Sequence, residues 1–363
     1  MAAGLAQPLS KTHHPANGAG SASRHNGGMN IVILDDYQDV VRKLDCAAKL
    51  EAFPAKVYTN TIKGLGQLSV RLKDADILVL IRERTALNRA LLEKLPRLKL
   101  IAQTGRVGSH IDLAACSERG IAVAEGVGSP VAPAELTWAL IMAAARRLPQ
   151  YIGNLKHGAW QQSGLKAASM PANFGLGVVL RGKTLGIWGY GKIGQLVAGY
   201  GKAFGMQVLV WGSDESRVRA ARDGFEAATS REAFFEQCDV LSVHLRLNDA
   251  TEGIVKADDL ARMKPTALFV NTSRAELVEP NALIGALNRG RPGLAAIDVY
   301  ESEPILQGSA LLRLENCICT PHIGYVEKDS YELYFGSAFD NVVNYIKGTP
   351  TNIVNPGALQ VRR

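Results

Sequence analysis

Three glycines near the middle of the chain have the spacing of a phosphate-binding turn. They lie between an apolar run at 185–188 and an amphipathic stretch at 192–203, in the sequence Gly189-Tyr190-Gly191-Lys192-Ile193-Gly194. In a strand–turn–helix unit the first glycine permits the tight turn, the second lets a pyrophosphate approach, and the third lets helix and strand pack closely. The phosphates then lie on free N–H groups at the positive end of the helix dipole. This arrangement predicts dinucleotide binding, whereas an isolated motif of this kind could be an ordinary glycine-rich turn.

Three side chains suited to anion binding and proton transfer follow later apolar runs. Arg274 follows the run 267–271, Glu303 follows 294–298 and His322 follows 317–319. The carboxyl ends of parallel strands meet at one sheet edge, where open α/β sheets bind ligands. A guanidinium there can hold a carboxylate and a carbonyl oxygen together, and a carboxylate beside an imidazole favours the protonated ring. The alternative roles are a surface salt bridge for the arginine and structural or solvated positions for the other two.

Short apolar runs alternate with amphipathic stretches from Asn30 onward, which predicts parallel sheets covered by helices on both faces. The first series of predicted strands is 31–34, 56–58, 77–80, 98–102 and 121–124, with helical patterns at 40–48, 66–72, 89–94 and 113–119. A long helix is predicted at 134–147. The second series is 185–188, 207–211, 240–244, 267–271, 294–298 and 317–319, followed by a helix at 327–346.

Composition narrows the function classes. The 363 residues suggest about two domains, because globular domains average roughly 150 residues. No apolar run approaches the roughly 20 residues that cross a bilayer, so we expect no membrane partner. The formal charge is +7, but no Lys/Arg block or zinc-finger spacing accompanies it, so we expect no nucleic-acid partner. Residues 1–29 lack a hydrophobic period and are predicted to be a disordered extension.

The five cysteines are odd in number and scattered. Cys317 and Cys319 flank Ile318 in an apolar stretch, so in a strand both thiols lie on one face. No further Cys/His cluster completes a metal site. We therefore predict no metal, and cysteines that pack as small hydrophobic residues in a reducing, cytoplasmic compartment.

Together these motifs resemble the NAD(P)-dependent D-2-hydroxyacid dehydrogenases, the D-isomer-specific family, from Ile31 to about Lys347. Several independent motifs in the family's order are more specific than the glycines alone. They are 105–112 (GRVGSHID), 134–135 (AE), 158–160 (GAW), the glycine turn, 263–265 (MKP), 271–274 (NTSR), 298–299 (DV), 303–304 (EP) and 320–324 (TPHIG).

The resemblance implies an α/β fold of two doubly wound parallel-sheet domains, with a Rossmann cofactor domain inserted into a flavodoxin-like substrate domain. It implies a substrate domain at 30–127 plus 326–350, a cofactor domain at 128–325 and a tail at 351–363. Family members usually pair through the cofactor domain, so a homodimer is also implied.

The implied reaction is hydride transfer between NAD or NADP and a small 2-oxo acid or D-2-hydroxy acid. His322 is then the acid and base, Glu303 supports it and Arg274 binds the substrate. Backbone N–H groups of Arg106, Val107 and Gly108 match the carboxylate-binding loop. The matching cofactor positions are Gly189, Gly191, Lys192, Ile193 and Gly194 at the phosphates; Ser213, Asp214, His244 and Leu245 at the adenosine; and Thr272, Ser273, Arg274, Asp298, His322 and Gly324 at the nicotinamide side. A plain strand-end role for His244 stays open.

Some positions depart from the family pattern. Arg246 stands where proline is usual, Ala275 where glycine is common, and the loop 105–112 carries Arg106 and His110. His110 is either a specificity residue or a loop histidine with a structural partner. These departures leave the substrate's side chain undetermined.

The cofactor strand 207–211 ends without the acid that usually repels a 2′-phosphate, because Asp214 comes slightly late. Arg217 and Arg219 follow within about a helical turn, so we expect NADPH to be accepted. Asp214 folding back onto the ribose, with both arginines in solvent, is the alternative.

Rival functions remain at this point. Some relatives on this fold act as NAD(H)-sensing corepressors, and others are formate dehydrogenases. Formate dehydrogenases pair their histidine with glutamine, so Glu303 argues against that activity. The short C-terminal tail disfavours a phosphoglycerate dehydrogenase with an appended regulatory domain.

Overall fold

The computed structural model describes residues 7–8, 28–165, 171–172 and 174–362. The chain divides into two compact units, one containing residues up to Ser129 together with 327–363, the other containing Pro130–Val326. The predicted extension 1–29 lies outside the described residues except at positions 7, 8, 28 and 29.

The first unit contains a six-stranded sheet in the order β1-β3-β2-β4-β5-β6, parallel except for β1. Its strands are β1 Gln7–Pro8, β2 Ile31–Ile33, β3 Ala55–Val57, β4 Ile77–Leu80, β5 Leu100–Gln103 and β6 Ala122–Ala124. Its first helices are α1 Leu65–Leu72, α2 Arg89–Leu92 and α3 Leu113–Glu118. Strands β2, β4, β5 and β6 are buried along their whole length, which explains their unbroken apolar sequences.

The second unit contains a seven-stranded parallel sheet in the order β13-β12-β11-β10-β7-β8-β9. Its strands are β7 Thr184–Trp188, β8 Gln207–Trp211, β9 Glu226–Ala227, β10 Val240–Val243, β11 Leu268–Asn271, β12 Leu294–Ile297 and β13 Cys317–Cys319. Its helices are α4 Val131–Ala145, α5 Leu148–Lys156, α6 Lys192–Ala203, α7 Asp214–Arg222, α8 Arg231–Gln237, α9 Ala257–Arg262 and α10 Ala282–Asn288.

The strand order of this second sheet reverses beside β7. The chain runs outward from β7 through β8 to β9, then returns to β10 on the other side of β7. Ligands of doubly wound sheets bind outside the carboxyl ends of strands at such a reversal. The second sheet therefore has its binding crevice where β7 and β10 end.

The last helix, α11 Lys328–Ile346, belongs to the first unit. Glu332 on this helix accepts hydrogen bonds from the backbone N–H groups of Asp45 (2.7 Å) and Cys46 (3.0 Å). The end of the chain also packs on this unit, since Asn355 accepts a hydrogen bond from the N–H of Val123 at 2.8 Å. The residues after 350 thus belong to the first unit rather than forming a detached tail.

The predicted alternation of strands and helices is confirmed, with two local corrections. The predicted helix at 40–48 is a pair of 3-10 helices, Val41–Lys43 and Asp45–Leu50. The helix predicted over 134–147 spans 131–145, and α5 follows it as a separate helix that the apolar pattern did not reveal. Arg147 has a left-handed φ of 56°, which breaks the two helices apart. Within the described ranges, every helix is too short or too polar to cross a bilayer.

Candidate active site

The glycine turn joins β7 to α6 and has one open and two closely packed positions. An ideal Cβ at Gly189, whose φ is +100°, would lie 2.6 Å from the carbonyl oxygen of His244. A Cβ at Gly194 would lie 2.2 Å from the carbonyl oxygen of Gly189, whereas one at Gly191 would meet nothing within 4 Å. Helix α6 begins with Lys192, so its free N–H groups adjoin the open position. This turn fits a pyrophosphate group.

His244 adjoins the same turn at the end of β10. Its Nε2 lies 2.9 Å from the hydroxyl of Ser242, while its buried Nδ1 has no hydrogen-bond partner in the described part of the chain. Burial lowers the pKa of His244 to about 4, so the ring is neutral at pH 7. A buried ring nitrogen without a protein partner fits the predicted contact with a polar cofactor atom.

The end of β8 carries the residues predicted at the adenosine ribose. Ser213 caps α7, and the side chain of Asp214 is 90% exposed and paired with Arg217. Arg219 instead donates a hydrogen bond from Nη2 to the carbonyl oxygen of Tyr190, at 3.2 Å. Arg219 thus lies against the glycine turn, while the nearest acid is held in an exposed ion pair.

His322 and Glu303 form a direct pair. Nδ1 of His322 lies 2.7 Å from Oε2 of Glu303, and the backbone N–H of Tyr300 donates to Oε1 at 3.0 Å. Burial raises the pKa of Glu303, but the net pKa lies below its usual value. The lowering comes from the hydrogen bond and charge of His322, the N–H of Tyr300 and the charge of Arg274. An ionised Glu303 fixes a hydrogen on Nδ1, so Nε2 is the ring atom suited to exchanging a proton with a ligand.

Asp298 holds the loop that carries His322. The carboxylate is fully buried, and its Oδ1 accepts hydrogen bonds from the hydroxyl of Thr320 (2.7 Å) and the N–H of Ile323 (2.8 Å). Its Oδ2 accepts from the N–H of Gly324 at 2.9 Å. Burial raises the pKa of Asp298 despite these bonds and the charge of His322. The carboxylate keeps the loop in place although His322 has a left-handed φ of 51°.

Tyr300 is a neighbour of this pair that sequence reasoning missed. Its N–H contacts Glu303, and its hydroxyl donates to the carbonyl oxygen of Thr320 at 2.8 Å. The ring of Tyr325 also packs edge-on against the ring of His322, with centroids 5.7 Å apart. In the sequence, a tyrosine directly after a strand cannot be told from an ordinary core residue. Only the polar contacts in the structure show that Tyr300 belongs to the site.

Arg274 follows β11 on a segment fixed by side-chain hydrogen bonds. Asn271 donates from Nδ2 to the carbonyl oxygen of Arg274 (2.8 Å) and accepts at Oδ1 from the N–H of Ser273 (3.0 Å). The hydroxyl of Thr272 bonds to a threonine of α4 at 2.7 Å. The positive charge of Arg274 helps to lower the pKa of Glu303, so the guanidinium is electrostatically part of this site.

Ile193 and Leu245 also lie in the second unit, whereas the predicted carboxylate-binding loop belongs to the first unit. Arg106 is exposed and Val107 and Gly108 are half-buried in the loop that follows β5. His110 in this loop has its Nε2 3.3 Å from Oε1 of Gln103. The second unit therefore brings together the glycine turn, Arg274 and the His–Glu pair on one sheet, whereas the predicted carboxylate loop lies on the other sheet. Across the described residues, no group of three or more His, Cys, Asp or Glu side chains could hold a metal ion.

A family model decides the identity of the second unit. Residues 138–324 match the model for the D-isomer specific 2-hydroxyacid dehydrogenase, NAD binding domain. The chain belongs to the D-isomer-specific 2-hydroxyacid dehydrogenase family. It is thus an NAD-dependent oxidoreductase of 2-hydroxyacids, and the resemblance inferred from the motifs is confirmed.

Relatives of the whole chain agree with this family. A glyoxylate reductase of Aeropyrum pernix is 37% identical over 275 residues, which cover 75% of this chain and 81% of that protein. A solved structure from Ralstonia solanacearum, proposed to be a D-3-phosphoglycerate dehydrogenase, is 66% identical, covers 91% of this chain and 98% of its own, and has a TM-score of 0.90. A phosphoglycerate oxidoreductase of Vibrio cholerae is 53% identical with a TM-score of 0.84, covering 88% and 99%. These structures confirm the α/β fold class.

Proposed function

We propose that the enzyme reduces small 2-oxo acids to D-2-hydroxy acids, and catalyses the reverse oxidation, with NAD(H) or NADP(H). The observation that carries this proposal is the 2.7 Å contact between His322 Nδ1 and Glu303 Oε2 in the unit that also contains the glycine turn. A half-buried, ionised carboxylate on one ring nitrogen prepares the other nitrogen for general acid–base catalysis.

The three side chains have complementary tasks in this proposal. Arg274 binds the carboxylate and the 2-oxo group of the substrate in its planar fork, and so offsets negative charge that develops on the oxygen. Protonated His322 donates a proton from Nε2 to that oxygen, and Glu303 stabilises the imidazolium before the transfer. The glycine turn would hold the cofactor, whose nicotinamide would supply hydride to the substrate's carbonyl carbon. In the oxidative direction neutral His322 takes the proton back at Nε2.

A spectrophotometric screen tests the proposal. NADH and NADPH oxidation are each measured with glyoxylate, hydroxypyruvate, pyruvate and phenylpyruvate, and the product's configuration is determined. We expect steady turnover with at least one acid, a D-product, and a loss of about 10²–10⁴ in rate for His322→Ala, as removal of a general acid typically produces. Cofactor binding without turnover of any 2-oxo acid would favour the NAD(H)-sensing alternative.

We also propose that two copies of the chain associate through the second unit. Helix α5 buries none of its residues, and its apolar side chains Leu148, Ile152 and Leu155 are exposed by 45%, 54% and 55%. An exposed apolar helix face is typical of a protein interface. Sedimentation equilibrium should give a dimer for the native chain and a monomer for Ile152→Asp.

A cytoplasmic location is proposed from the cysteines. All five lie in described residues and are free thiols. Free thiols are stable in the reducing cytoplasm. Fractionation of cells producing the protein with its natural termini tests this location.

A further inference from the structure

Cys317 and Cys319 lie side by side on β13, which among the described strands pairs only with β12, at one edge of the second sheet. Their sulfur atoms are 3.7 Å apart, within contact of each other on one face of the strand. Both residues are half-buried. The sequence motif was interpreted only as packing, and the proposed reaction uses neither thiol.

The other three cysteines provide an internal contrast. Cys46, Cys116 and Cys238 are buried, and burial raises the pKa of Cys46 and of Cys116 to about 12. The pKa of Cys319 is instead lowered, because hydrogen bonding from Cys317 outweighs burial. The thiolate is the nucleophilic form, so Cys319 is the thiol of this chain best prepared to react.

We propose that Cys317 and Cys319 form a modification site at which a hydroperoxide oxidises the two thiols to an intramolecular disulfide. The Cys319 thiolate attacks one peroxide oxygen, the O–O bond breaks, and a sulfenic acid and hydroxide form. The sulfur of Cys317 then displaces the sulfenic oxygen as water, and the thiol's proton leaves with it. Hydroxide takes up the proton that Cys319 had lost. Two thiols lose two electrons and one hydroperoxide is reduced, to two waters when it is hydrogen peroxide.

We expect the disulfide to disturb the loop that carries His322. A disulfide holds its sulfurs about 2.04 Å apart, so the two atoms must approach by about 1.7 Å from their present 3.7 Å. Cys319 directly precedes Thr320, whose hydroxyl bonds to Asp298 and whose carbonyl oxygen bonds to Tyr300. A misplacement of about 1 Å at a catalytic group can cost up to about a hundredfold in rate. We expect kcat to fall about tenfold or more, an effect that rests on the proposed function.

The experiment measures the disulfide and the turnover in the same samples. Enzyme is treated with hydrogen peroxide, its thiols are blocked with N-ethylmaleimide, and it is digested with trypsin. The tryptic peptide 314–328 contains both thiols and no other cysteine. We expect this peptide to lose two hydrogens in mass and to take up no label, in parallel with the fall in kcat, and dithiothreitol to reverse both changes.

Matched variants separate this site from general oxidation. The double variant Cys317→Ala/Cys319→Ala should keep its activity in peroxide, while Cys46→Ala should lose activity as the native enzyme does. Two labelled thiols in the peptide after peroxide treatment would overturn the proposal, as would a disulfide that leaves kcat unchanged. The peptide mass reports on the disulfide whether or not a 2-oxo acid is turned over. A failure of the proposed function can therefore be distinguished from a failure to form the disulfide.

Discussion

Replacing Glu303 by glutamine tests the electrostatic coupling of the His–Glu pair. The amide keeps the shape and can still bond to Nδ1, but it removes the negative charge that favours the imidazolium. Unit charges about 4 Å apart interact by about 4 kcal/mol at an effective dielectric constant of about 20. The two side chains are 25% and 34% exposed, so solvent screens part of this energy. Hydrogen bonds to charged groups contribute about 1.5–3 kcal/mol, and we take this range for the pair. At about 1.4 kcal/mol per unit, the loss corresponds to about one to two pH units.

The direction in which the pH profile shifts has different consequences for reduction and for oxidation. Reduction requires the protonated ring, so activity is lost as pH rises, and in Glu303→Gln this loss should begin about one to two pH units lower. Oxidation requires the neutral ring, so the variant should retain oxidation to lower pH than the native enzyme. The low pKa of Glu303 in the native enzyme agrees with this coupling, because each partner stabilises the charge of the other.

The assay is kcat/KM against pH in both directions for the native enzyme and the variant. Glu301→Gln is the matched control, because Glu301 is a nearby acid with an exposed side chain. Its profile should coincide with the native one. An unchanged midpoint for Glu303→Gln, with an equal loss of rate at every pH, would refute the electrostatic argument and leave Glu303 only a structural role.

The remaining predictions concern substrate binding, cofactor binding and the packing of the glycine turn. Arg274→Ala should lose about 10²–10³ in kcat/KM for 2-oxo acids with its thermal unfolding unchanged, and activity within threefold of native would remove the guanidinium from the mechanism. Gly191→Ala should weaken NADH binding by calorimetry without lowering Tm, because the Cβ meets no protein atom. Gly194→Ala should lower Tm by several degrees, because its Cβ would overlap the carbonyl oxygen of Gly189. With Asp214 turned to an exposed ion pair, kcat/KM should favour NADH over NADPH by less than about a hundredfold, or about 2.7 kcal/mol. A thousandfold preference for NADH would show that Asp214 contacts the ribose.

The sheets could be predicted because strands buried on both faces have continuous apolar sequences. Two central strands, Val240–Val243 and Leu268–Asn271, are buried at every position. The strand ends predicted from the sequence agree with the observed ends to within one residue. The structure of the segment 40–48 could not be predicted correctly from the sequence. Its apolar spacing resembles an α-helix, but an extended Leu44 separates two 3-10 helices. The N–H of Asp45 in the second one donates a hydrogen bond to Glu332, which lies 287 positions away in the chain.

Sheet-edge reasoning also put Arg274, Glu303 and His322 near one another, because all three follow parallel strands of one series. It could not predict Tyr300, since its role depends on where the chain returns after β12. The N–H of Tyr300 contacts Glu303, 3 positions later in the chain, and its hydroxyl contacts Thr320, 20 positions later. No local sequence pattern encodes the second contact.

Asp298 shows how hydrogen-bond accounting adds to what a motif implies. An ionised carboxylate offers about four acceptor positions, and three of those on Asp298 are taken by the loop 320–324. The side chain has no exposed surface, so a ligand can reach the remaining position on Oδ2 only if that loop moves. The predicted contact with the nicotinamide carboxamide therefore stays a prediction. The loop alone explains why an acid stands at this position. An amide has a single acceptor oxygen with two lone pairs, so it could not accept all three bonds that hold His322 opposite Glu303.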